Sequence, residues 1–295
     1  MTINIEPLHL ERSNFAGLLS GVSVANGISK EDATKIEDGM NHFAVLVLRD
    51  QQITDDQQFA FSEHFGPMEQ ATGDPDKSAT RRLSMNVNDI SNLDENGGVM
   101  AIDDRRALFS LGNRLWHSDS SFKQTPAKFS LLSARKIPAS GGNTQFADMR
   151  AAWDALAPEI QVECMGKICD HSQLYSRGLL GFSEWPEAEI DFNQPVPQRL
   201  VRRHAGSGRL SLYLSAHAGA IHGQSKPVAR VFLQELNEHA TQQQFVYSHQ
   251  WRSNDLVIWD NRATMHRATR YDSEEVRDLH RTTVSDSAPT LQQPL

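Results

Sequence analysis

The sequence predicts a mainly β protein with helical insertions, built as an antiparallel sandwich or jelly roll. Three observations lead there. Apolar runs of strand length dominate from Phe109 onward. Helices interrupt them without the regular strand-helix-strand alternation of a doubly wound parallel sheet. No Gly-x-Gly-x-x-Gly follows a strand to cradle a phosphate. With 295 residues, 39% hydrophobic and 22% charged, the chain can bury a substantial core.

The elements follow in order. Ser29 caps a helix whose Ala33, Ile36 and Met40 share one face, and the continuous apolar run Phe43 to Leu48 reads as a buried strand. Thr54 and Gln57 form a capping box for a second helix, with Ala60, Phe61, His64 and Phe65 as its apolar stripe and Gly66-Pro67 as its stop. From Met68 to Asn113 the apolar density falls and turn formers such as Gly73-Asp74-Pro75-Asp76 and Asn96-Gly97-Gly98 accumulate around a short strand, Leu83 to Ile90; a long excursion of this kind is expected to be a lid or insertion. Lys128 to Ala134 reads as a strand and Pro138 to Gly142 as a turn. Met149 to Leu156 is a helix capped by Asp148, and Pro158 starts another. Leu210, Leu212 and Leu214 alternate with Ser211 and Tyr213, the period of a half-buried strand. Pro227 to Ala240 is helical, Leu256 to Trp259 and Arg277 to Val284 are the last strands, and Ser285 to Leu295 is expected to fray.

Composition narrows the function. The 29 Lys+Arg against 37 Asp+Glu leave a formal charge of -8, so no global field attracts a phosphate backbone, which argues against a nucleic-acid partner. The run Phe43 to Leu48 is far below the roughly 20 apolar residues of a membrane helix, and Met1 to Arg12 lacks the pattern of a signal peptide. The expectation is a soluble, cytoplasmic protein with no membrane partner. Cys164 and Cys169, in a polar helical-looking stretch, frame no disulfide scaffold and match no zinc knuckle, so the 12 histidines are where metal chemistry is to be sought.

The informative segment is Trp116-His117-Ser118-Asp119-Ser120-Ser121-Phe122. On a strand, His117 and Asp119 point to one face and can converge on an ion. His266, beyond the Leu256 to Trp259 strand, is the best candidate to complete two imidazoles and a carboxylate, a facial set that leaves three positions free on a six-coordinate iron. His-x-Asp alone more often marks a hydrogen-bonded or solvated pair, and a single His near a strand end is usually structural. Arg277 and Arg281 add an independent signal: their even separation, with Leu279 between them, puts both guanidinium groups on one face of a strand, where each offers a planar fork to a carboxylate. Buried guanidinium groups without anions are costly.

These residues resemble the iron(II)- and 2-oxoglutarate-dependent dioxygenases of the taurine dioxygenase group, nearest the branch that degrades the herbicide 2,4-dichlorophenoxyacetate. The similarity runs over most of the chain: the Val45 strand, Trp116 to Phe122, Ser140 to Met149, His204 to Arg209, and Trp259 to Thr283. It implies a double-stranded β-helix, or jelly-roll, core flanked by helices. One domain would span 1-295, with a lid or insertion at 68-113, a helical insertion at about 149-200 and a tail at 285-295. It implies His117, Asp119 and His266 as the catalytic iron ligands, with Fe(II) as cofactor and 2-oxoglutarate and dioxygen as co-substrates. Thr144 and Arg277 match the pair that holds the distal carboxylate of 2-oxoglutarate. Arg281 matches a second arginine near the substrate acid and the inner carboxylate, and Asn113 an active-site amide that contacts substrate, although an Asn before a strand also serves as a turn former. His204 and His217 match positions expected to have supporting or folding roles.

The reaction implied is hydroxylation of the carbon beside the ether oxygen of an aryloxyalkanoic acid. It releases a phenol and a 2-oxo acid such as glyoxylate, together with succinate and CO2. The partner is a small aryloxy carboxylate, and a homo-oligomer is compatible with the class. Two departures fall where a substrate pocket is expected: Gln70 to Arg82 lacks the basic residues aligned in the herbicide branch, and a histidine expected shortly after His217 is replaced by Ala220, with His222 displaced. The rival readings are a taurine or alkylsulfonate dioxygenase, a zinc hydrolase on the same three ligands, and a non-catalytic jelly-roll binding module.

Overall fold

The computed structural model describes residues 2–71 and 81–295. The segment Gly73-Asp74-Pro75-Asp76 and most of the departing stretch Gln70 to Arg82 lie outside the described residues. Two mainly antiparallel sheets face each other. The larger has seven strands in the order Asn4–Pro7, Gly17–Ser20, Val45–Leu48, Leu256–Asp260, Ala127–Lys136, Asp278–Ser285 and Asn88–Ser91; Gly17–Ser20 and Val45–Leu48 run parallel to each other. The smaller orders Val246–His249, Thr144–Asp148 and Thr264–Ala268. Helices cover both outer surfaces, which is the jelly-roll core the sequence predicts.

Period-two alternation explains why the central strands read as unbroken apolar runs. Leu46, Phe129, Leu131 and Ile258 point outward onto the helices Lys30–Phe43 and Asp55–Glu63, meeting Ile36, Met40, Phe61 and Phe65. Val45, Val47, Leu132, Val257, Trp259 and Leu279 point inward and meet Phe146 and Tyr247 of the smaller sheet and Trp251 just beyond it. Behind that sheet, Met149, Trp153 and Met265 pack with Leu233 and Leu236 of the helix Lys226–Ala240. Ser29 caps the first helix, accepting from the Asp32 N–H, and the Thr54–Gln57 capping box is complete.

The structure redraws several elements. Phe43 ends the first helix and Ala44 turns out of it in the left-handed region at φ 56°, so the strand begins at Val45. On the second helix Ala60 and His64 are exposed, and the buried face is Gln58, Phe61 and Ser62. Gln58 is buried because its amide is satisfied: it donates to the Leu131 and His280 carbonyls (both 2.9 Å) and accepts from Ser133 Oγ at 2.6 Å. The strand expected at Leu83 to Ile90 is Asn88–Ser91. Leu210–Leu212 is not half-buried, since Ser211 and Tyr213 are covered as well. Cys164 ends a helix and Cys169 lies on the strand Ile168–His171; both are buried thiols. The segment 149-200 holds four short helices but also the strands Ile168–His171 and Val196–Arg199.

The tail at 285-295 is docked rather than frayed. Thr290 is fully buried and donates to Gln198 Oε1 at 2.6 Å, while Asp286 pairs with buried Arg202. Among the described residues no helix is long and apolar enough to cross a membrane.

Candidate metal centre and cavity

A corner between the two sheets delivers the first imidazole. The strand Leu256–Asp260 leaves the large sheet, and after a tight turn the chain enters the small sheet as Thr264–Ala268. Asp260 makes that turn by accepting from the Arg262 N–H at 2.9 Å. Its carboxylate is held on both sides, by Arg262 Nη2 at 2.6 Å and His204 Nε2 at 2.8 Å. Burial opposes the charge on Asp260, yet Arg262 and His204 outweigh it and hold the carboxyl well below the usual carboxylate range. His204 thus fixes the corner and stands apart from the metal candidates, in the supporting role the resemblance implies.

His117 does not lie on a regular strand. It forms an isolated bridge with His266, each donating its N–H to the other's carbonyl, at 3.0 and 2.8 Å. That reciprocal pairing, and not a two-residue strand period, sets the imidazoles side by side with ring centroids 4.2 Å apart. The chain then enters a turn in which Ser120 takes φ 52°. Asp119 oxygens lie 3.8 Å from His117 Nε2 and 3.6 Å from His266 Nε2. Among the described residues these three form the one cluster able to hold a metal, all buried, with ligand atoms within 4.8 Å of one another.

The donor set fits a divalent cation. His117 Nδ1 donates to the Leu115 carbonyl at 2.7 Å, which leaves Nε2 as a lone pair facing the cluster. Burial pushes both imidazoles below the ordinary histidine value and so keeps them neutral. For Asp119 burial works against ionisation, but the charge of Arg281, with the Ser130 hydrogen bond, prevails and the carboxyl stays well below its usual range. A neutral pair of nitrogens plus one carboxylate, with the remaining directions facing a cavity, is the set that open iron sites use.

Sequence reasoning missed the residues that aim Asp119. Asn261 Oδ1 accepts from the Asp119 N–H at 3.0 Å and from Trp259 Nε1 at 3.1 Å. Asn261 Nδ2 donates to Ser130 Oγ at 2.9 Å, and Ser130 Oγ donates to Asp119 Oδ2 at 2.7 Å. Asn261 and Ser130 are fully buried, so the geometry is fixed without solvent. A buried-side polar residue in the apolar run Lys128 to Ala134 was the available signal for Ser130.

The cluster opens on a cavity of about 1100 Å³ whose wall also includes Thr144, Asn113, Arg277 and Arg281. Arg277 sits just before the strand Asp278–Ser285, is 5% exposed, and makes no ion pair among the described residues; its Nε has no partner. Burial pushes its guanidinium down to about 10. The turn before Thr144 requires glycine: Gly141 is at φ 72°, and a Cβ there would meet the Arg270 carbonyl at 2.4 Å. Thr144 is buried with its hydroxyl accepting from Trp251 Nε1. Arg281 does share the cavity, but its Nη1 is engaged by Asp119, leaving its Nε buried and unpartnered. Asn113 lies in the short 3-10 turn Leu111–Arg114, on the cavity wall. His217 is bound through Nδ1 to Ser176 Oγ at 3.0 Å and stands edge-on to His117, 6.0 Å away, as a wall behind it. His222 is a surface residue paired with Asp170. The described part of the 68-113 excursion contributes apolar wall, including Ile90, Val99, Met100, Leu108 and Leu111.

Comparison with known proteins agrees with this geometry. Residues 5–283 match the family model "Taurine catabolism dioxygenase TauD, TfdA family". The chain is 42% identical to the alpha-ketoglutarate-dependent 2,4-dichlorophenoxyacetate dioxygenase of Cupriavidus pinatubonensis, over 98% of this chain and 99% of that one. It is 32% identical to the (S)-phenoxypropionate/alpha-ketoglutarate-dioxygenase of Sphingobium herbicidovorans, over 90% of each. Its structure superimposes on the crystal structure of AAD-2 in complex with Mn(II) and N-oxalylglycine with a TM-score of 0.91 at 50% identity, covering 99% of this chain and 100% of that one.

Proposed function

The chain belongs to the TauD/TfdA family of Fe(II)- and 2-oxoglutarate-dependent dioxygenases, and from that membership we propose that it hydroxylates the carbon beside the ether oxygen of an aryloxyalkanoic acid. The observation that carries the reading is the buried His117–Asp119–His266 cluster opening on a cavity that also holds Arg277, without an ion-pair partner among the described residues, and an apolar patch of Val99, Met100, Leu108 and Leu111. His117, Asp119 and His266 would hold iron, and the iron with 2-oxoglutarate and dioxygen supplies the oxidising chemistry.

The protein's own residues bind and orient. Arg277 and Thr144 take the distal carboxylate of 2-oxoglutarate. Arg281, whose Nη1 steadies Asp119, still has a free Nε for the substrate acid, and Asn113 stands on the same wall. Met100, Leu108 and Leu111 line the side where an aromatic ring would lie, an environment ill suited to a small aminosulfonate. One atom of dioxygen goes to succinate and the other to the substrate carbon; the resulting hemiacetal collapses to a phenol and a 2-oxo acid, which is glyoxylate for an oxyacetate. Relatives named for 2,4-dichlorophenoxyacetate and (S)-phenoxypropionate support the substrate class.

The test is a panel of aryloxyacetates, aryloxypropionates and taurine with Fe(II), 2-oxoglutarate and air, scored as succinate released against product formed, a phenol from an aryloxy acid and sulfite from taurine. An aryloxy acid is expected to give the two in equal amounts; taurine giving the faster coupled turnover would reject the substrate class. Anaerobic addition of Fe(II) and 2-oxoglutarate should give a weak visible charge-transfer band that His117→Ala lacks, and no band in the parent protein would reject the metal assignment.

A further inference from the structure

Trp251 sits two residues past the strand Val246–His249, and its ring folds back over Thr144, the register partner of His249. An indole N–H is a donor with no acceptor capacity, whereas a threonine hydroxyl has one hydrogen and two lone pairs. The bond from Trp251 Nε1 to Thr144 Oγ1, 3.0 Å long and buried, therefore occupies the acceptor side of the hydroxyl and turns its hydrogen elsewhere. Thr144 lines the cavity, and its hydroxyl makes no second hydrogen bond among the described residues. A carboxylate can only accept, so a hydroxyl already set as donor meets it without reorganisation. Two residues before Thr144, the Gly142 carbonyl receives Arg277 Nη2 at 3.4 Å, which places the guanidinium on the same stretch of wall.

Trp251 is itself held from behind. Its ring meets His249 edge-on at 4.6 Å, and His249 is fixed by the Tyr247 hydroxyl at 3.0 Å and by Asp255 at 3.1 Å. Asp255 also receives Arg49 and the Arg252 N–H, which closes the turn that carries Trp251. Any buried indole N–H needs an acceptor; here the acceptor is the hydroxyl that lines the cavity.

We propose that Trp251 is a positioning residue for the co-substrate: it presets the Thr144 hydroxyl as a hydrogen-bond donor to the distal carboxylate of 2-oxoglutarate. The inference rests on the co-substrate placement above. The test measures equilibrium binding by calorimetry to the Mn(II)-loaded protein, using 2-oxoglutarate and 2-oxobutyrate, which lacks the distal carboxylate. Trp251→Phe keeps a ring and removes the N–H. It should weaken 2-oxoglutarate about tenfold, equivalent to about 1.4 kcal/mol, and leave 2-oxobutyrate unchanged. Thr144→Val should give a similar loss, and the double variant should be no weaker than Thr144→Val alone. Replacing Trp251 by its sulfur isostere β-(3-benzothienyl)alanine, which keeps the shape without the N–H, answers the same question if phenylalanine packs too loosely. Equal weakening of both oxo acids, no weakening of either, or additive losses in the double variant would overturn the proposal. A parent protein that binds neither oxo acid would instead reject the functional reading, and this inference with it.

Discussion

Arg277→Met should separate stability from function, because the fold carries this guanidinium at a cost. The side chain is 5% exposed, pairs with no carboxylate among the described residues, and leaves its Nε without a partner. Burial lowers the guanidinium from 12.5 to about 10, and at about 1.36 kcal/mol per decade this is a penalty of about 3 kcal/mol. Methionine fills much of the same volume without the charge. Against the gain stand the weak bond to the Gly142 carbonyl and the approach to the Tyr271 ring, 5.6 Å from its centroid, together worth about 1–2 kcal/mol. The variant without co-substrate should thus be as stable as the parent or more so by about 1–2 kcal/mol, a rise in Tm of about 2–4 °C for a chain of this size. With Mn(II) and 2-oxoglutarate at a hundred times its Kd, the parent should gain about 2.7 kcal/mol and the variant almost nothing. The order of stability then reverses on adding the ligand. Urea and thermal unfolding, each with and without 2-oxoglutarate, measure this directly. A variant destabilised by 2 kcal/mol or more in the absence of ligand would refute the reasoning, since it would show Arg277 to be a structural ion-pair partner.

Two further outcomes follow from other parts of the molecule. Burial tends to lower His280, but the hydrogen bonds it donates to Asp278 and Asp55 raise it above its ordinary 6.5. A raised folded value means its stabilisation is full below the unfolded value and is lost as pH rises through the folded one, so Tm of the parent relative to His280→Gln should fall between about pH 6.5 and the neutral-to-alkaline range; a difference that is flat with pH would show that folding leaves the proton affinity of this imidazole unchanged. In the docked tail, Thr290→Val leaves Gln198 Oε1 without its buried donor, which should cost about 1–3 kcal/mol in urea unfolding while leaving metal binding intact; a loss below about 0.3 kcal/mol would mean the tail is not held through this bond.

Much of the framework could be read from neighbours along the chain. The Ser29 cap, the Thr54–Gln57 box and the buried run ending at Leu48 depend on interactions within a few residues, and each forms as the sequence implies. Residue type and spacing pointed to His117, Asp119, His266, Arg277 and Arg281, and the family resemblance added Thr144 and Asn113; the three metal candidates converge and the other four share their cavity. The same local logic failed where a distant partner overrides it. Gln58 sits on the buried helix face because two strand carbonyls and Ser133 satisfy its amide, and Thr290 is buried because Gln198 waits beneath it.

What the sequence indicated by itself is therefore the jelly-roll class, the helix caps and the inventory of candidate ligands and cations. Tertiary structure alone decided how they are aimed: the reciprocal bridge that sets the two imidazoles side by side, the Asn261 and Ser130 bonds that orient Asp119, and the indole that turns the Thr144 hydroxyl. The reason is physical. Caps and periodicity are set by the chain's own pitch over one or two turns, whereas these hydrogen bonds join groups brought together by sheet register and by the corner at Asp260, and a shift of one residue in either would point every one of them elsewhere.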